Sequence, residues 1–150
     1  KSGIDNLTKL SKQVSDYEKV FEFNYIVIDE RHYKAALKLI PNHYGIYVLT
    51  NDKLKEDKKA SLNTNLDSTI QLSLFTKKEL QQSFKGVPPD FNCIQEIYSK
   101  EEINAVFKQM LKKRYLKKWT FLKSNLDNIL PIDYQYFFHH NVNPSIIYSY

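Results

Sequence analysis

Cysteine is almost absent, Cys93 being the only one in 150 residues. That excludes an internal disulfide and a thiolate zinc cluster, and it suits a reducing, cytoplasmic location. Glycine is nearly as scarce. Gly3, Gly45 and Gly86 are the whole set, and their wide separation excludes both a P-loop and a G-x-G-x-x-G turn. No H-E-x-x-H occurs. No apolar run approaches the ~20 residues needed to cross a bilayer, and no basic-then-apolar leader is present, so no membrane partner is expected. Methionine is confined to Met110 and the sequence opens on Lys1, from which we expect a piece of something longer.

What is present supports a folded domain. Apolar residues make up 42% and aromatics 14%, beyond what a disordered chain carries. The formal net charge is +5, from 22 Lys and Arg, with Arg31 and Arg114 the only arginines. Such an excess is compatible with a nucleic-acid partner and equally with a Lys-rich solvated surface.

Hydrophobic spacing predicts a helix over 5–21. Leu7, Leu10, Val14, Tyr17 and Phe21 form one apolar stripe at the helical period, and Asp5 is placed to cap it. Phe23 to Ile28 reads as a short strand buried on both faces. A helix from about Arg31 to Ile40 follows, ended by Pro41, and Tyr44 to Leu49 reads as a second strand. Helix, strand, helix, strand in this order predicts a crossover with parallel pairing. Residues 50–66 are polar and predict a loop or a solvent-facing hairpin. From Ser68 the pattern becomes helical, over about 68–75 and 77–85, closed by Gly86 and Pro88-Pro89. Ser99-Lys100-Glu101-Glu102 is a capping box opening a long helix, with the apolar stripe Ile103, Val106, Phe107, Met110, Leu111, Tyr115, Trp119 and Leu122.

Gln13 and Tyr17 are four apart, so they lie one above the other beside the apolar stripe of the first helix. With the leading Lys1-Ser2, the stretch Gln13-Val14-Ser15-Asp16-Tyr17 resembles the PD-(D/E)XK nuclease-like superfamily, in its RecB-like branch, where a strand ending in E-x-K precedes a Q-x-x-x-Y helix. More narrowly, Lys1-Ser2, Asp5, Leu7, Leu10, Gln13, Tyr17 and Phe21, with Pro41-Asn42-His43-Tyr44-Gly45-Ile46 and Gln71-Leu72-Ser73-Leu74-Phe75, are similar to a little-characterised bacterial and phage family. The resemblance implies an α/β fold: the rear part of a restriction-endonuclease-like core over residues 1–62, then a mostly helical accessory region over 63–150. It implies metal-dependent DNA hydrolysis, with Lys1, Gln13 and Tyr17 as surviving site residues and Mg²⁺ held by an Asp and a Glu expected upstream of this chain. No residue of the chain itself is assigned as a metal ligand.

The alternative reading is a non-catalytic DNA- or protein-binding module. Lys112, Lys113, Arg114, Lys117 and Lys118, with Lys108 and Lys123, cluster on the long helix among Tyr115, Trp119 and Phe121. They could contact phosphates beside stacking aromatics, or they could be a solvated face whose stems cover the core. The aromatic stretch with Tyr134, Tyr136, Phe137 and Phe138 offers a surface for a homo-oligomer or larger assembly, and the expected N-terminal segment is a further candidate partner of this chain. His139-His140-Asn141 lacks the surroundings an HNH nuclease requires.

Overall fold

A computed structural model describes residues 7–51 and 53–125. The chain divides into two compact units, Lys1–Asn104 and Ala105–Tyr150. Along it run α1 (Leu10–Glu18), β1 (Tyr25–Asp29), a 3₁₀ turn (Glu30–His32), α2 (Tyr33–Ala36), β2 (Gly45–Thr50), β3 (Lys53–Lys58), α3 (Ser68–Ser73), α4 (Lys77–Ser83), α5 (Phe91–Ile97) and α6 (Lys100–Ser124). The fold is mixed α/β around a three-stranded sheet of order β1-β2-β3. No helix among the described residues is long and apolar enough to cross a membrane.

In the first unit β1 and β2 pair in parallel, Tyr25 opposite Gly45 through Asp29 opposite Leu49, as the crossover order predicts. β3 returns antiparallel on β2 through a tight turn in which Asn51 takes φ 49°, a left-handed conformation that Asn tolerates better than most residues. The polar stretch after Thr50 is therefore a hairpin. Leu10 and Val14 of α1 and Ala36 of α2 bury against Ile26, Ile28, Tyr44 and Ile46. The Tyr44 hydroxyl, which burial pushes up to about 12, donates to the Val14 carbonyl at 2.8 Å.

Several elements differ from the sequence expectation. α1 is shorter than 5–21 because the Leu10 N–H closes a turn onto the Leu7 carbonyl. Its N-cap position is held by Lys9, which makes no side-chain cap, and Asp5 lies outside the described residues. β1 is buried on one face only. Ile26 and Ile28 point into the core, whereas Tyr25 and Val27 are exposed, since the helices that pack on this strand lie on one side of the sheet. The helix expected over 31–40 is a 3₁₀ turn and a single α turn followed by irregular turns. α5 was not anticipated; the Asp90 side chain caps it by accepting from the N–H groups of Asn92 and Cys93. The expected restriction-endonuclease-like arrangement goes beyond the mixed α/β sheet described here.

The end of α1 leaves carbonyls without helical partners, and later segments supply them. Asn63 Nδ2 donates to the carbonyls of Glu18 (2.6 Å) and Phe21 (3.0 Å). Asn24 Nδ2 also donates to Phe21 O, the Asp67 N–H to Lys19 O, and Gln71 Nε2 to Val20 O at 2.9 Å. Gln71 is fully buried and also donates to Asn104 Oδ1, while Asn104 Nδ2 donates to the Glu22 carboxylate at 2.6 Å. The capping box expected at Ser99 forms with Glu102, and a second one, Thr76 with Glu79, opens α4. Leu72, Phe75, Leu80, Phe84 and Ile94 are buried in this helical part, with Phe84 edge-on to Tyr98.

In the second unit the rest of α6, from Ala105, carries buried Phe107 and Met110. The expected stripe does not continue beyond them as a buried one, because Tyr115, Leu116 and Trp119 are exposed.

Two substitutions test this account. Asn63→Ala removes both side-chain donors to the α1 carbonyls and should cost about 1–3 kcal/mol in a urea melt; Asn63→Asp, which presents a carboxylate to the same oxygens, should be no better. At Gly45 an added Cβ would meet the Tyr25 ring and stand 2.7 Å from the backbone nitrogen of Ala60. Gly45→Ala should therefore destabilise by about 2 kcal/mol. Adding Tyr25→Ala should recover only part of that, because the Ala60 backbone remains in the way.

Candidate functional site

Gln13 and Tyr17 do come together. Both project from the exposed side of α1, Tyr17 being 55% exposed, and they line a groove of about 180 Å³ with Leu10, Val14, Tyr25, Ile26, Val27 and Tyr44. Its described lining is apolar and tyrosine-bearing, without a carboxylate or a cation. Tyr17 rests its ring 6.2 Å from that of Phe21. Lys1 lies outside the described residues. So do Tyr134, Tyr136, Phe137, Phe138 and the His139-His140-Asn141 stretch.

A second concavity, not foreseen from the sequence, sits at the carboxyl ends of the parallel strands, where open α/β sheets commonly hold ligands. Asp29 ends β1. Its Oδ1 accepts from the Arg31 N–H and Nε, both at 3.0 Å, and its Oδ2 from Nη2 at 3.2 Å. These hydrogen bonds hold the Asp29 carboxyl down at about 2. Glu30 and Asn51 line this recess and an adjoining one that includes Tyr33 and Asp57, where the Tyr33 hydroxyl donates to Asp57 Oδ2 at 2.7 Å. The Asp29 and Asp57 carboxylates are engaged by hydrogen bonds within the chain. Among the described residues no three His, Cys, Asp or Glu side chains gather as a metal site. The Mg²⁺ expectation put its ligands ahead of residue 1, so these residues do not bear on it. The sequence signal was Asp-Glu-Arg directly after a strand, too common to single out.

Cys93 is half-buried, and burial followed by the nearby Asp90 pushes its thiol up. A reactive cysteine needs the opposite shift.

The third feature is α6. From Ala105 to Asn125 the sequence carries Lys108, Lys112, Lys113, Arg114, Lys117, Lys118 and Lys123, with no Asp or Glu. At about 100° per residue, Lys108, Lys112, Tyr115, Trp119 and Lys123 fall within an arc of about 80°, and all five are exposed. Arg114 and Lys118 project towards the side of buried Phe107 and are half-buried, while Lys113 and Lys117 lie between the two sides and are exposed. The Lys123 ammonium sits over the Trp119 ring, 5.6 Å from its centroid, within cation–π range. Like charges at i, i+4 such as Lys108/Lys112 and Lys113/Lys117 each oppose the helix by a few tenths of a kcal/mol.

Asp29 supplies a pH test. Its carboxyl is lowered by Arg31, so its contribution to stability is complete above the ordinary value of 3.8 and is lost as pH falls towards 2. A side-chain carboxyl NMR titration should place Asp29 near 2, and Arg31→Ala should return it towards the ordinary range.

Comparison with known families matches residues 1–137 to the family described as Bacteriophage P4 protein cII. No curated protein and no solved structure matches. This match overturns the resemblance to PD-(D/E)XK nucleases, and with it the readings as nuclease, hydrolase and magnesium-dependent DNA-cleaving enzyme. The physical reason is that Q-x-x-x-Y is a two-residue pattern at helical spacing, which the edge of any amphipathic helix can carry.

Proposed function

The chain belongs to the bacteriophage P4 protein cII family, and from that premise we propose a non-catalytic DNA-binding module that works through α6. The supporting observation is the run of seven basic and no acidic side chains over Ala105–Asn125 on a continuous helix. A helical segment rich in one charge sign lowers its own repulsion by meeting a polyanion, and each phosphate neutralised releases counterions to solution. Lys112, Lys113 and Lys117 are the exposed phosphate contacts; Arg114 and Lys118, more enclosed, hold the flank of the same helix. The net charge of +5 adds a long-range attraction that falls with salt.

The test is binding of a fluorescein-labelled oligonucleotide over a salt series. Binding should weaken steeply as salt rises, and Lys112→Ala with Lys113→Ala and Lys117→Ala should flatten the log–log slope by roughly 0.7–0.9 per contact removed. An unchanged slope in the triple variant, with its helicity intact, would refute α6 as the DNA contact. Strand scission by purified protein in Mg²⁺ would refute the non-catalytic reading.

A further inference from the structure

We infer that the α6 face bearing Lys112, Tyr115, Trp119 and Lys123 selects single-stranded DNA over duplex. The inference rests on the DNA-binding reading of α6 and names the form of nucleic acid that this face takes.

The geometry is one of alternation. Lys112 and Lys123 bracket Tyr115 and Trp119 along one side of the helix, spanning about 16 Å at 1.5 Å per residue. Tyr115 is 40% and Trp119 56% exposed, although both are large rings that folding ordinarily hides. Leu116, 60% exposed, widens the apolar ground beside them. An exposed ring flanked by ammonium groups offers a nucleic acid two things together, a plane for a base and a charge for the phosphate beside it.

Duplex DNA can use only the charges. Its base faces are already stacked inside the helix, and a side chain entering a groove meets base edges. A single strand presents free base faces, and stacking on aromatic side chains is how sequence-tolerant single-strand binders hold it. Lys123 already caps the Trp119 ring at 5.6 Å. A base stacking on the open face of the indole would leave this ammonium close enough to meet the adjoining phosphate.

Trp119 is the only tryptophan, so its own fluorescence reports the contact. Titration of the full chain with a 20-residue oligothymidine should quench it, and with a hairpin duplex of equal charge should change it little. Oligothymidine should bind at least fivefold more tightly than the duplex at equal salt. By anisotropy with labelled DNA, Trp119→Ala should weaken oligothymidine binding about tenfold and leave duplex binding within twofold, while Trp119→Phe keeps most of the affinity. Lys112→Ala with Lys123→Ala should flatten the single-strand salt slope by roughly 1.4. Circular dichroism checks that each variant retains its helices, which is expected since the changed side chains are exposed. Equal or tighter duplex binding, or a Trp119→Ala variant that binds oligothymidine as well as its parent, would overturn the single-strand inference and leave the DNA-binding reading standing. No binding to either form at low salt would overturn both.

Discussion

The first unit depends on how the free end of one short helix is satisfied. α1 stops at Glu18, and the carbonyls from Glu18 to Phe21 have no partners within it. Unpaired and buried, each would cost on the order of 1–3 kcal/mol. Asn63, Asn24, Gln71 and the Asp67 N–H supply the missing donors. Because Asn63 and Asp67 come from the linker after β3 and Gln71 from α3, satisfying the end of α1 also ties the helical segment to the sheet layer. Asn104 extends the same network to the start of α6 through Gln71 and Glu22. A hydrophobic contact could tolerate sliding by an ångström; two-point hydrogen bonding to carbonyls cannot, so this network sets register as well as stability.

The sheet shows a complementary economy. β3, an edge strand, reads Lys-Leu-Lys-Glu-Asp-Lys and is guarded by charge, a common device against edge-to-edge pairing. β1 carries Tyr25 and Val27 outward instead, with Tyr25 lying over Gly45 and 5.4 Å from the Tyr47 ring. Only a glycine opposite Tyr25 permits that approach. The groove lined by Gln13 and Tyr17 lies beside this packing and shares Tyr25 and Val27 with it.

The proposed contact surface is not drawn from the fold's most enclosed part. The carboxylates that look most chemical, Asp29 and Asp57, are already committed to Arg31 and Tyr33. The basic side chains gather instead on α6, whose sequence from Ala105 to Asn125 holds seven Lys and Arg and no Asp or Glu. A family assignment to a phage protein and a basic helical segment from Ala105 onward are separate observations, one from whole-sequence similarity and one from charge. They meet in the proposal that α6 contacts DNA.

How much of this could be read beforehand follows from the range of each interaction. The two strands β1 and β2 and their parallel order, the capping box at Ser99, and the basic character of α6 are local or periodic properties, and the sequence by itself determined them. The one-sided burial of β1, the exposure of Tyr115 and Trp119, and the partners of Gln71 and Asn63 rest on contacts between residues far apart in the chain, or on which elements cover a given surface. Periodicity assigns an aromatic to a stripe but does not say whether another element reaches it. The Q-x-x-x-Y spacing likewise reported a helix edge faithfully and carried no information about the chemistry beside it. Only the tertiary structure decided which faces were covered, because covering depends on where the chain returns, and that return is directed by the buried amides gathered at the end of α1.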